Sequence, residues 1–149
     1  EGLAAERAVQ LASDTDLQVV AAVLAQMEEA HSKRNAEEEA KLDAEFHMAI
    51  IEASHNVVML HMMRSMYQLL REGVFYNRQV MFKQRTTRSM LLDQHRAINS
   101  ALQERDATKA RAAIEAHLDY VAVCLRNQGR AAENEEVARL RLDHVVSKS

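Results

Sequence analysis

No proline occurs anywhere in the 149 residues of this chain, and its only glycines are Gly2, Gly73 and Gly129. Sheets and their hairpins draw on turn residues that such a chain lacks, so helices are the structure left to it. Long runs of Ala, Leu, Glu, Gln, Arg and Met, all good helix formers, point the same way. With 48% hydrophobic residues over this length, a core of its own can be buried. The expected architecture is all-α, an antiparallel bundle of about six to seven helices forming one domain over residues 1–149.

Capping signals divide the chain. Residues 3–12 read as the end of a helix. Thr15 with Gln18 has capping-box spacing and opens a second helix to about Arg34. Asn35 with Glu38 repeats that logic for a third helix, ending near Ser54. Asn56 is a good N-cap for a fourth helix from Val57, which carries Met59, Met62, Met63 and Met66 as core or pocket lining. Thr86 and Thr87 start a fifth helix, and Asp106 caps a sixth from Ala107 to Asn127. Gly129 is placed as its C-terminal stop. The charged stretch 129–149 then forms a peripheral last helix.

The formal net charge of −3 gives this chain no electrostatic reason to bind nucleic acid itself. One cysteine, Cys124, allows no intramolecular disulfide and suits a reducing, cytoplasmic compartment. No apolar run approaches the roughly 20 residues that span a bilayer, so no membrane association is expected. The opening residues Glu1 to Arg7 resemble the middle of an amphipathic helix, the expectation for a piece of a longer protein.

The chemistry lies in the histidines. Asp43 and His47 stand four residues apart on the third helix, one turn apart on one face, where both can reach a single ion. The fifth and sixth helices flank a short turn at Asp106 and should pair as an αα-hairpin. His95 lies eleven residues before Asp106 and His117 eleven after it, so the two stand level across the hairpin. Spacing alone does not show that the two helix pairs face each other. A structural hydrogen bond between Asp43 and His47 stays open beside metal ligation. His31 and His144 sit among charges and read as solvated, His55 as a loop residue that helps cap a helix, and His61 has no partner at chelating spacing.

The run Phe46-His47-Met48-Ala49-Ile50-Ile51-Glu52-Ala53-Ser54-His55-Asn56 resembles the signature of the FCD domain. That domain is the C-terminal ligand-binding half of FadR-type regulators in the GntR family of bacterial transcription factors. Asp93-Gln94-His95-Arg96-Ala97-Ile98 is similar to the family's His-x-x-Ile helix. Asp106-Ala107-Thr108-Lys109-Ala110 with Ala116-His117-Leu118 is similar to its Asp-x-x-x-Ala…His-Leu helix. The likeness covers roughly residues 1 to 128. The phrasing around Ala53 to Asn56 and Met62-Met63-Arg64 is most like the branch responding to lactate, pyruvate or glycolate. Metal-binding FCD domains use one Asp and three His, and the resemblance carries these onto Asp43, His47, His95 and His117, none of them substituted. The winged helix-turn-helix reader that precedes the FCD domain is absent from this sequence, as is the start of the domain's first helix, where the family often places an arginine near the effector.

Three imidazoles and one carboxylate suit Zn²⁺, Ni²⁺, Mn²⁺ or Fe²⁺. The resemblance implies a small organic acid of the 2-hydroxy or 2-keto type as effector, a homodimer, and DNA contact through the missing N-terminal domain alone. A guanidinium fits a carboxylate bidentately, which makes Arg64, Arg71 and Arg78 candidate effector contacts, with Tyr67 and Tyr76 as hydrogen-bond partners. Hairpin pairing across the His55 turn places Tyr67 level with Asp43 and Arg64 close to His47. Metal affinity should weaken below about pH 6.5, since imidazoles must be neutral to coordinate. Two other classes compete. A metal-dependent enzyme, hydrolase or oxygenase-like, could use the same ligands, with Glu45 and Glu52 the only carboxylates to consider as bases. A purely structural dimerisation bundle is the other.

Overall fold

Helix ends organise the fold. The computed structural model describes residues 1–69, 81–82 and 84–146. Among them stand six helices and no strand: α1 (Gly2–Leu11), α2 (Asp14–Ser32), α3 (Ala36–Ala53), α4 (Val57–Leu69), α5 (Arg85–Gln103) and α6 (Ala107–Val146). None of these helices is long and apolar enough to cross a membrane.

Three of the turns are built alike. Arg34, His55 and Arg105 each take a positive φ, of 55°, 50° and 54°, immediately before an Asn or Asp that caps the next helix. Asn35 accepts from the Glu38 N–H at 3.2 Å, Asn56 from Met59 at 3.0 Å and Asp106 from Lys109 at 2.9 Å. The Asn35 N–H bonds back to the Ala30 carbonyl at 3.0 Å, and the Asp106 N–H to Ala101 at 3.0 Å, which is the Schellman closure of a helix end. A non-glycine residue held left-handed costs about 1–2 kcal/mol. The chain accepts that cost three times and so reverses direction without glycine. Arg105 recovers part of it by donating to the Val9 and Ala12 carbonyls (3.2 and 3.0 Å) at the otherwise open C-terminus of α1. His55 meets Asp16 at 2.9 Å, tying the α3–α4 turn to the start of α2.

Three boundaries differ from the sequence reading, one of them at α5, which starts at Arg85 after Gln84 rather than at Thr86 or Thr87. The cap of α2 is Ser13, not Thr15: the Ser13 hydroxyl accepts from the Asp16 N–H at 3.1 Å, and the Asp16 carboxylate accepts from the Ser13 N–H at 2.8 Å. The shorter Asp side chain completes the box that Gln18 was expected to close. Gly129 is no stop. It has no positive φ and lies inside α6, where its cost is only about 1 kcal/mol relative to alanine.

Two compact units are distinguished, Glu1–Leu118 and Asp119–Ser149. In the first, α3 packs chiefly on α2 and also on α1 and α4, while α5 packs on α2 and α1. Val20, Met27, Phe46, Ile50, Ile98, Leu102 and Ile114 are at most 2% exposed and form its centre. Helix α4 contributes less than its methionines suggest, since Met62 and Met66 are exposed and Met59 and Met63 only half-buried. In the second unit, every described residue from Gly129 onward is exposed.

A buried ion cluster joins α2, α3 and α5. Glu39 is 2% exposed and accepts from the Arg88 guanidinium; its other oxygen lies 3.1 Å from His31 Nδ1. Arg88 also donates to the His31 carbonyl at 3.2 Å. His31 is therefore a member of this cluster rather than the solvated residue its charged neighbours suggest. Removing one partner leaves an uncompensated buried charge, so Arg88→Met is expected to cost about 3–5 kcal/mol in a urea titration. Arg88→Met combined with Glu39→Leu should cost clearly less. A double variant as unstable as the single one would show that packing, not charge, sets the cost.

Candidate metal centre

Along α3, Glu39, Asp43 and His47 recur every four residues and share one buried face, turned toward α5 and α6 rather than solvent. His95 comes from α5 and His117 from the first unit's part of α6. One ligand atom from each of Asp43, His47, His95 and His117 lies within 4.8 Å of every other, and all four residues are buried. The level placement expected of His95 and His117 holds: their ring centroids are 4.6 Å apart. The α3 pair faces them. His47 Nε2 is 3.2 Å from His117 Nε2, and Asp43 Oδ1 is 3.1 Å from His95 Nε2 and 3.9 Å from His47 Nε2.

An oxygen lies at the outer edge of each of two rings. His117 Nδ1 is 3.0 Å from the Gln94 carboxamide oxygen, and His47 Nδ1 is 2.6 Å from Glu1 Oε2. Where both rings carry their proton on Nδ1, their facing Nε2 atoms present lone pairs at 3.2 Å, an arrangement that repels unless one proton or cation sits between them. His95 is 0% exposed, and neither of its ring nitrogens makes an aligned hydrogen bond. Leaving a buried polar atom in that state costs about 1–3 kcal/mol. A cation at the centre relieves both conditions at once, and the donor set of three imidazoles and a carboxylate suits a divalent transition metal. The residues fit the group.

Electrostatics are tuned in the same sense. Burial pushes the His117 imidazolium pKa down to about 3, helped by the charges of His47 and His95. Burial likewise lowers His95, against the opposing pull of Asp43. Burial alone would raise the Glu1 carboxyl, but the charge and hydrogen bond of His47 outweigh it and hold Glu1 at about 2. Two rings are thus kept neutral, the form a metal needs.

Of the other expected site residues, Arg64 is not gathered here. The Arg64 side chain is 55% exposed and donates to Glu52 at 2.6 Å, on the outer side of the α3–α4 hairpin rather than beside His47. Tyr67 lies half-buried on α4. Arg71, Tyr76 and Arg78 fall outside the described residues. Glu45 and Glu52 are both 48% exposed, so neither stands as a buried base beside the four ligands. Glu1 and Gln94 were missed by the sequence reading. Gln94 could have been suspected as the neighbour of His95, whereas nothing local connects Glu1 with a residue 46 positions away.

Residues 1–120 match the FCD domain. The chain belongs to the FCD domain family. This FCD chain is 37% identical over 103 residues to the "Putative L-lactate dehydrogenase operon regulatory protein" of Escherichia coli (strain K12), covering 68% of this chain and 40% of that protein. It is 33% identical over 82 residues to the "HTH-type transcriptional regulator LutR" of Bacillus subtilis (strain 168), covering 54% of this chain and 37% of that protein. The chain therefore spans about 40% of the length of these curated relatives, both of which are named as regulators and neither as an enzyme. Among solved structures, E. coli McbR/YncC superposes with a TM-score of 0.73 over 85% of this chain and 59% of its own, at 17% identity, a likeness of fold. The all-α FCD-like architecture expected from the sequence is borne out.

Proposed function

We propose that this FCD domain is the effector-sensing part of a GntR-family transcriptional regulator, and that Asp43, His47, His95 and His117 hold a divalent transition metal (Zn, Ni, Mn or Fe). The single observation that carries this reading is the convergence within 4.8 Å of one ligand atom from each of four buried residues on three helices. When bound, the metal supplies open coordination positions suited to the carboxylate of a 2-hydroxy or 2-keto acid, together with its 2-oxygen. The printed names of the curated relatives, one concerned with an L-lactate dehydrogenase operon, support that class of acid.

The chain's own residues do the rest. Asp43 and His47 anchor the centre to α3, His95 to α5 and His117 to α6, so occupancy biases the packing of three helices together. Arg64, Arg71 and Arg78, with Tyr67, are the candidates for the acid's carboxylate; Arg64 would have to leave Glu52 to serve. In the full-length cytoplasmic protein, a homodimer carrying winged helix-turn-helix heads would convert that bias into altered DNA affinity.

The test is metal content followed by thermal stability. Purified protein is expected to carry divalent metal that chelator removes. Lactate, pyruvate and glycolate should be screened with and without chelator. A recognised acid at a hundredfold excess over its Kd adds about 2.7 kcal/mol of stability, in the metal-loaded form only. A metal-free protein indifferent to chelator would sink this reading, and turnover of any acid would move it to the enzyme class.

A further inference from the structure

Glu1 leads into α1, its carbonyl accepting from the Ala5 N–H at 3.0 Å. Its carboxylate, only 13% exposed, is turned to His47 Nδ1 at 2.6 Å. A carboxylate gives up water at a cost unless its partner repays it. The start of α1 is also pinned to the helix carrying His117. A Cβ at Gly2 would stand 3.0 Å from the Glu115 carboxylate, and Glu6 binds Arg111 at 3.0 Å.

We propose that Glu1 is the outer positioning residue of the metal centre, holding the His47 ring so that Nε2 faces the other ligands and coupling α1 to metal occupancy. The inference rests on the metal reading above. Histidine ligands commonly give their second N–H to a carboxylate or carbonyl, which sets tautomer and ring orientation and raises ligand basicity. Gln94 plays this part for His117 with a neutral oxygen. Glu1 adds a charge as well: three imidazoles and Asp43 leave one positive charge on a divalent ion, and Glu1 cancels it within a buried site. Helix α1 contributes no ligand, so Glu1 is its direct line to the centre.

Zn²⁺ affinity, measured by competition with a chromophoric chelator, tests this in the full chain, with helix content and urea stability recorded in chelator. Glu1→Ala is expected to weaken Zn²⁺ binding by about 10- to 100-fold. Glu1→Gln should lose part of that, since its oxygen can accept from Nδ1 but brings no charge. Glu6→Ala, on the same helix, should bind Zn²⁺ as the unmodified protein does. Unchanged affinity in Glu1→Ala or Glu1→Gln overturns the proposal, as does an equal loss in Glu6→Ala, which would indicate α1 packing alone. If Glu1→Ala does not fold, Glu1→Gln against Glu6→Ala decides. An unmodified protein without Zn²⁺ affinity overturns the metal reading, and this inference with it.

Discussion

His95→Ala and His117→Ala are each expected to leave a folded protein that no longer retains divalent metal through dialysis, while His31→Ala retains it. His95 is the most demanding case. It is fully buried, packs edge-on against Phe46 with ring centroids 5.0 Å apart, and makes no aligned hydrogen bond. Its removal takes away a ligand and the 3.1 Å contact of Asp43, which keeps His47 at 3.9 Å, so the helical circular-dichroism signal should persist. His117→Ala frees the Gln94 carboxamide, which stands half-buried and can turn to water. The loss of affinity should exceed the roughly 10- to 100-fold typical of outer-sphere changes, because one of four direct ligands is gone. His31 serves the Glu39–Arg88 cluster instead, so its loss should appear in stability and not in metal per chain. Atomic emission on dialysed protein reads the result. Full metal occupancy in either His95→Ala or His117→Ala would refute ligation by that residue.

Acid should destabilise the chelator-treated protein from about pH 6.5 downward. His117 has its folded-state pKa depressed to about 3, against an ordinary 6.5, and His95 is lowered in the same direction. For His117, between those two values, the unfolded chain binds a proton that the folded chain refuses. Stability is complete above pH 6.5 and falls as pH falls, by up to about 1.4 kcal/mol per pH unit for each ring. Glu1 adds the same sign lower down: held at about 2 against an ordinary 4.5, it stabilises the fold above pH 4.5 and loses that contribution below. The urea midpoint should be level above about pH 6.5 and decline from there to pH 5, and His117→Gln should flatten the profile. A level midpoint between pH 6.5 and 5 would contradict the burial of neutral imidazoles. Burial keeps these two rings neutral in the folded protein, so acid acts on the fold as well as on the metal affinity expected to weaken below about pH 6.5.

Much of this was legible because it is local. Asn35, Asn56 and Asp106 cap the helices they were expected to cap, since a short side-chain oxygen three residues before a free N–H leaves few alternatives. Ser13 displaced Thr15 because two capping boxes overlapped in sequence and only one could close. Gly129 misled because a glycine signals a stop only where a left-handed turn is needed, and α6 makes none there. The hairpin symmetry of His95 and His117 about Asp106 held because helices joined by so short a turn must run antiparallel.

The sequence by itself determined the helices, most of their ends, and the two pairs of candidate ligands, each pair set by spacing along one helix or across one turn. Only the tertiary structure decided that the α3 pair faces the α5–α6 pair, that Arg88 and Glu39 are buried partners, and that Glu1 reaches His47. Those contacts join residues 46 to 70 positions apart. No local rule couples such residues; the packing of α1, α3, α5 and α6 around one core brings them within hydrogen-bonding distance.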